Sequence, residues 1–178
     1  MGKTTGVIRA LPPGAPAVIY SPCNEEGHAI RAFPAIEDTP IYLSAGLEPY
    51  FKQSPQFVCR HKGNTTAFVD ACCALHGKII VLDDMATLFS DAEEKAALKR
   101  LIPLVGYQGC TLIGVAHLPY SDTLKKFRVS AGSIYWYGPI HDDAAINDLW
   151  ELRRVDVTRP EFETRLKTLQ QYEYFQIR

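Results

Sequence analysis

The sequence of 178 residues lacks any apolar run long enough to span a bilayer, and it lacks an N-terminal signal peptide. It also lacks an excess of basic residues, because 19 Lys and Arg stand against 20 Asp and Glu. This balance argues against a protein that simply coats DNA, but it does not exclude a ring-shaped motor with local positive charge lining a channel. The five cysteines are odd in number and include no C-x-x-C pair, which is typical of a reducing compartment. These absences predict a soluble intracellular protein.

The chain carries no internal repeat or low-complexity segment, and its length suits one domain over residues 1–178. Segments with helical periodicity alternate with short apolar runs, which predicts an α/β fold: a three-layer sandwich with a mostly parallel sheet. The predicted strands cover 17–21, 111–116, 133–137 and 172–177, with possible strands at 41–43 and 56–60. The predicted helices cover 4–11, 23–33, 65–75, 142–152 and 160–171.

Local end signals support two of these helices and add a further one. Asn64 is expected to cap the helix at 65–75, and Gly77 to follow its end as the C′ residue. A capping box of Ser90 and Glu93 opens another helix, which ends near Val105.

One run of seven residues organises the chain: Lys78-Ile79-Ile80-Val81-Leu82-Asp83-Asp84. Its β-branched residues predict a fully buried parallel strand, and the strand ends in two carboxylates. Open α/β sheets bind ligands at this edge. The pattern is that of a Walker B motif, in which the first acid holds Mg²⁺ through water and the second activates the attacking water. A strand followed by a polar turn is the alternative interpretation of the same residues.

The N-terminal residues Gly2, Lys3, Thr4 and Thr5 match the second half of a Walker A loop. In such a loop the backbone N–H groups surround the phosphates of ATP, Lys3 reaches the β- and γ-phosphates, and the Thr4 hydroxyl binds Mg²⁺. The first glycine and the preceding strand are not in the sequence. We therefore expect the chain to begin inside the loop, as an N-terminally truncated P-loop ATPase domain.

Two further residues are candidates for catalysis. At least one full strand separates the two Walker motifs, which is typical of the additional-strand branch of P-loop NTPases. In that branch a polar residue at the end of the next strand contacts the γ-phosphate or the attacking water, and His117 has this position. Arg128 is a candidate arginine finger, although a solvated basic loop is the favoured interpretation of its surroundings. Asp83 and Asp84 are assigned to Mg²⁺ and to general-base catalysis.

Two other residue sets allow weaker interpretations. A possible zinc site is indicated by cysteines and histidines near the middle of the chain: Cys59, His61, Cys72, Cys73 and His76. Their spacing matches no common zinc motif closely, and buried cysteines also behave as small apolar residues. Lys52, Arg60 and Lys62 could face DNA phosphates in a channel, and an ordinary charged surface explains them equally well.

With the Gly2–Thr5 loop, the Asp83-Asp84 pair and the strand ending Ala116-His117 in view, the chain resembles the FtsK/HerA superfamily. It is most similar to viral and phage genome-packaging ATPases and to zonular-occludens-toxin-like assembly ATPases. The resemblance implies Mg²⁺-dependent ATP hydrolysis, a homo-oligomeric (hexameric) ring, movement of double-stranded DNA, and contact with capsid or membrane-vertex proteins. It also implies a place in the host cytoplasm or the virion. The chain departs from the family pattern by His117 instead of Gln, and by Asp84 where most such motors have Glu.

Two alternatives to the translocase remain. One is another P-loop ATPase, of a signalling or replication-initiation type. The other is a degenerate P-loop domain that binds or assembles without catalysis.

Overall fold

The computed structural model describes residues 3–23, 29–116, 134–137, 139–152, 157–170 and 174–177. The chain forms two compact units, residues 1–117 and 118–178. The single domain predicted over residues 1–178 stays a prediction. Among the described residues, no helix is both long and apolar enough to cross a bilayer.

The first unit is built on a five-stranded parallel sheet with the strand order β2-β3-β1-β4-β5. The strands are β1 (Ala17–Ser21), β2 (Ala35–Glu37), β3 (Gln56–Arg60), β4 (Ile79–Leu82) and β5 (Thr111–Gly114). The helices are α1 (Lys3–Ala10), α2 (Pro40–Leu43), α3 (Glu48–Phe51), α4 (Thr65–Cys72), α5 (Met85–Leu88) and α6 (Ala92–Tyr107), with a 3₁₀ turn at Ala29–Ala32. The α/β class with a parallel sheet flanked by helices is therefore confirmed.

Side-chain alternation in the central strand β1 divides the core into two layers, because successive residues of a strand face opposite sides. Ala17 and Ile19 pack in the cluster that contains Leu11, directly after α1. Tyr20 faces the other side, where its ring stacks on Phe68 of α4 with centroids 3.8 Å apart. All five residues of β1 are buried, so the strand is covered on both faces. Residues of odd number in β1 consequently share the face that α1 covers.

Several short elements differ from the sequence-based predictions. The possible strand at 41–43 is wrong, because Pro40 begins a helical turn in which the Leu43 N–H donates to the Thr39 carbonyl at 2.9 Å. Residues 24–28 of the predicted helix at 23–33 lie outside the described part. Its later residues Ala29–Ala32 form a 3₁₀ turn. Strand β2 and helices α3 and α5 were not predicted.

Two helix ends are also corrected. The capping box of α6 uses Asp91 and Glu94, one residue later than predicted, because the Glu94 N–H donates to Asp91 and the Asp91 N–H to Glu94. Helix α4 ends at Cys72, so Gly77 lies beyond the C′ position, where it has φ of +62° in the turn before β4. Asn64 does precede α4, but its side chain makes no capping hydrogen bond.

The second unit has its own small core and its own sheet. Strands β6 (Ile134–Tyr137) and β7 (Tyr174–Ile177) pair antiparallel with each other, and helices α7 (Asp143–Leu152) and α8 (Arg159–Thr168) pack together. The core consists of Ile140, Ala145, Ile146, Leu149, Phe162 and Leu166. Both C-terminal strands were predicted, whereas their separate antiparallel pairing was not.

Candidate functional site

The site lies at the carboxyl edge of the parallel sheet, on the face that α1 covers. Strands β1 and β4 are neighbours with Ala17 opposite Ile79 and Tyr20 opposite Leu82. The ladder continues one residue further, since the Asp83 N–H donates to the Tyr20 carbonyl at 2.8 Å. Alternation along both strands therefore brings Ser21 and Asp83 to the same face and the same level.

Asp83 is the centre of the site and is only 4% exposed. Its Oδ1 accepts a hydrogen bond from the Thr4 hydroxyl at 2.5 Å. Its Oδ2 accepts one from the Ser21 hydroxyl at 2.7 Å. Both oxygens of the buried carboxylate are thus bound by hydroxyl donors, which offsets part of the cost of removing a charge from water. The contact with Thr4 joins residues 79 positions apart in the sequence.

Lys3 lies over the same edge, at the start of α1. Its Nζ donates to the Ala116 carbonyl at 3.3 Å, just after β5. Burial lowers the pKa of the Lys3 ammonium below its usual 10.5, and the negative charge of Asp84 acts in the opposite direction. The ammonium is therefore partly desolvated and close to the acidic pair.

Asp84 has an unusual backbone conformation. Its φ of 55° and ψ of 63° place it in the left-handed region, and it is the only non-glycine residue of the described chain with positive φ. The conformation costs free energy for a residue with a side chain, and such outliers are concentrated at functional sites. The Asp84 Oδ2 accepts a hydrogen bond from the Thr87 hydroxyl at 2.7 Å, across the first turn of α5.

The donor set can hold an anion together with a divalent cation. The amino end of α1 carries no acidic residue in its first turn, so its free N–H groups and its dipole favour negative charge. Thr4 and Asp83 offer the oxygen ligands that Mg²⁺ prefers. Within the described ranges, no three His, Cys, Asp or Glu side chains could together hold a metal. A cation here would need further oxygens, which a bound phosphate supplies in many Mg²⁺ sites.

The structure brings together Lys3, Thr4, Asp83 and Asp84 of the predicted site, and Thr5 follows half-buried in α1. Gly2, His117 and Arg128 lie outside the described residues, so their predicted roles stay predictions. The cysteines of the zinc hypothesis behave as apolar residues: burial raises the pKa of Cys59 and of Cys72 well above the usual thiol value.

The basic residues considered for DNA contact do not share one edge. Lys52 precedes β3, whereas Arg60 ends that strand opposite Ser21 of β1, and Lys62 follows two residues later. Lys62 pairs with Glu37, with Nζ and Oε1 3.6 Å apart.

A buried network beside the site was not predicted. Asp38 is fully buried, and its carboxylate accepts hydrogen bonds from the Tyr20 hydroxyl at 2.5 Å and from the backbone N–H groups of Lys62 and Asn64 at 2.8 and 2.9 Å. Burial and the bond to Asp38 raise the pKa of the Tyr20 phenol beyond its usual value. The network fixes the loop that enters α4. An aspartate before Thr-Pro is typical of a turn, so the local pattern carries no signal for its burial.

Ser21 is the functional candidate that sequence reasoning missed. The available signal was its position, because a polar residue at the carboxyl end of a buried strand lies at the ligand-binding edge of such a sheet. A scan of protein-family models finds no match for this chain, and a search of curated proteins finds none either.

Proposed function

We propose that the chain is a Mg²⁺-dependent ATPase domain of the P-loop type. One observation carries the proposal: the Thr4 hydroxyl donates to Asp83, so the candidate Walker A and Walker B residues meet at one edge of a parallel sheet. Accidental matches to the two motifs would not be expected to contact each other across 79 residues of sequence. The Lys3 ammonium beside them supplies the positive charge that a triphosphate requires.

The hydrogen bond leaves Thr4 suited to bind a cation. Thr4 gives its only hydroxyl proton to Asp83, and both of its oxygen lone pairs remain for a metal ion. Donation to a carboxylate also makes the hydroxyl oxygen a better ligand, because hydrogen bonds in a chain polarise one another. A bound Mg²⁺ would supply positive charge against the phosphates. Thr4 and Asp83 would hold it, and Lys3, whose Nζ donates to the Ala116 carbonyl, would be available to the phosphates.

Asp84 is the proposed general base. Its carboxylate directly follows Asp83, and its charge acts on the Lys3 ammonium, which supports a role for Asp84 next to the proposed phosphate site. Thr87 holds one carboxylate oxygen and leaves the other to accept a proton from water. His117 as γ-phosphate contact and Arg128 as arginine finger complete the proposal.

The finer proposal is a double-stranded DNA translocase of the viral or phage packaging type, in a homo-oligomeric ring in the host cytoplasm or the virion. It is supported by the resemblance to the FtsK/HerA superfamily. Arg60 and Lys62 beside the site are compatible with a DNA-facing edge. Capsid or membrane-vertex proteins would then be its partners.

ATP turnover with and without double-stranded DNA tests both levels of the proposal. It is measured on the longest reading frame that contains these residues, with Asp84→Asn as the variant. We expect turnover that rises with DNA and falls by at least about a hundredfold in the variant. Turnover indifferent to DNA would leave a signalling or replication-initiation type of ATPase. ATP binding without turnover in either protein would support the non-catalytic assembly module.

A further inference from the structure

We infer that Ser21 is a positioning residue, which fixes the Asp83 carboxylate for Mg²⁺ binding. The inference rests on the proposed function. Ser21 is 1% exposed, and its hydroxyl donates to Asp83 Oδ2 at 2.7 Å. Thr4 occupies the other oxygen at 2.5 Å. Each oxygen of the carboxylate therefore has a different donor, and the two donors come from different elements, α1 and β1.

The direction of the Ser21 hydroxyl is itself fixed. Its oxygen accepts the Cys23 N–H at 3.1 Å, so the hydroxyl proton is left for Asp83. The Ser21 carbonyl accepts the His61 N–H at 3.0 Å, which ties the end of β1 to the end of β3. The Ser21 side chain would have to break the bond from the Cys23 N–H in order to rotate away from Asp83.

The consequence for Asp83 follows from its rotational freedom. The terminal torsion of an aspartate is broad, so one hydrogen bond from Thr4 would not set the plane of the carboxylate. Donors on both oxygens do set it. Ser21 keeps Oδ2 in place while Oδ1 accepts from Thr4, the other residue that would hold the cation. Loss of the Ser21 hydroxyl would therefore weaken the binding of the cation more than the binding of the nucleotide.

A purely structural role of Ser21 leads to a different expectation. It predicts lower stability with an unchanged Mg²⁺ requirement, because the folded protein would still present the same site. A positioning role predicts a higher Mg²⁺ requirement at equal affinity for metal-free nucleotide. The two roles are separated by measuring the half-saturating Mg²⁺ concentration for ATP turnover, together with ATP binding in EDTA.

The variants are Ser21→Ala, which removes the hydroxyl, and Ser21→Thr, which retains it. Ser21→Cys keeps the volume with a weak donor, and it serves if the alanine variant does not fold. Ser54→Ala is the matched control, because the Ser54 hydroxyl donates to the Gln56 carbonyl at 2.7 Å at the opposite end of β3. We expect the half-saturating Mg²⁺ concentration to rise about tenfold in Ser21→Ala, the equivalent of one hydrogen bond to a charged group. Ser21→Thr and Ser54→Ala should stay within about twofold of the wild type.

An unchanged Mg²⁺ requirement in Ser21→Ala and Ser21→Cys would overturn the inference while leaving the ATPase proposal in place. An equal rise in Ser54→Ala would overturn it as well, because the effect would then be general. Absence of any Mg²⁺-dependent ATP binding in the wild type would instead remove the proposed function itself.

Discussion

At the scale of single residues, the Lys3 ammonium gives the site a pH dependence. Burial lowers its pKa below 10.5, and only the charged form attracts phosphate. We expect ATP affinity to fall as the pH rises through this lowered pKa, and Lys3→Arg to retain affinity further into the alkaline range, because arginine stays protonated. Titration of ATP binding from about pH 7 to pH 10 measures both proteins. If ATP affinity depended on pH in the same way in the wild type and in Lys3→Arg, the role of Lys3 would be contradicted.

The lowered pKa of Lys3 also makes the stability of the folded protein depend on pH. A lysine whose pKa is lowered by folding disfavours the folded state while it is charged. In the protein without nucleotide, the Lys3 contribution to the free energy of unfolding therefore rises with pH between the lowered pKa and 10.5. Bound phosphates would raise the pKa of Lys3 again, so we expect ATP binding in this pH range to be accompanied by proton uptake.

The left-handed backbone of Asp84 leads to a second prediction. Glycine accepts φ of 55° without the steric cost that a Cβ adds. We expect Asp84→Gly to be more stable than Asp84→Ala by about 1 kcal/mol in urea unfolding, the reverse of the order found within helices. Both variants should lose ATP turnover. If alanine proved the more stable substitution, the strained conformation would not be that of the folded protein.

A third prediction concerns the pair of Tyr20 and Asp38. Tyr20→Phe keeps the stacking on Phe68 but removes the hydroxyl that donates to the buried carboxylate. We expect a loss of about 1.5–3 kcal/mol in the free energy of unfolding. The phenol stabilises the fold below its unfolded pKa of about 10, and this contribution is lost as the pH rises above that value. The variant should accordingly show a weaker alkaline loss of stability than the wild type, and an equal loss would argue against this pair.

At the scale of elements, α6 shows how a helix start is fixed. Its capping box is formed by Asp91 and Glu94, although Ser90 and Glu93 fit the sequence pattern as well. We expect Asp91→Ala to lower the free energy of unfolding by about 1 kcal/mol, since it leaves the Glu94 N–H without its acceptor. Ser90→Ala is the control and should cost less than about 0.5 kcal/mol. A larger loss of stability in Ser90→Ala than in Asp91→Ala would instead support the predicted capping box of Ser90 and Glu93.

The helices and strands differ in how well they could be predicted from the sequence. Strands β1, β4 and β5 were predicted from apolar runs and β3 was a possible strand, because burial dominates these patterns. Helix α2 and strand β2 were not, since such short pieces depend on tertiary pairing rather than on local preference. The contact between Ser21 and Asp83 requires β1 to lie beside β4, and the strand order of a sheet is not written in the local pattern.

At the scale of the whole molecule, those residues of the candidate site that the structure describes all belong to the first unit. Lys3 and Thr4 belong to α1, Ser21 ends β1, and Asp83 directly follows the adjacent strand β4. Lys3, Thr4, Asp83 and Asp84 could be selected from the sequence because each local pattern carries its own chemical signal. His117 and Arg128 of the prediction have no described position, and the ring and its DNA remain parts of the proposal.

The most direct test of the account is the effect of ATP on urea unfolding, with Mg²⁺ and with EDTA. A ligand that binds only the folded state stabilises it by about 2.7 kcal/mol at about a hundred times its dissociation constant. We predict a stabilisation of this order with Mg²⁺ and a smaller one in EDTA, both abolished in Lys3→Ala. Equal stability with and without MgATP in the wild type, or equal stabilisation of Lys3→Ala, would contradict the claim that these residues form an ATP site.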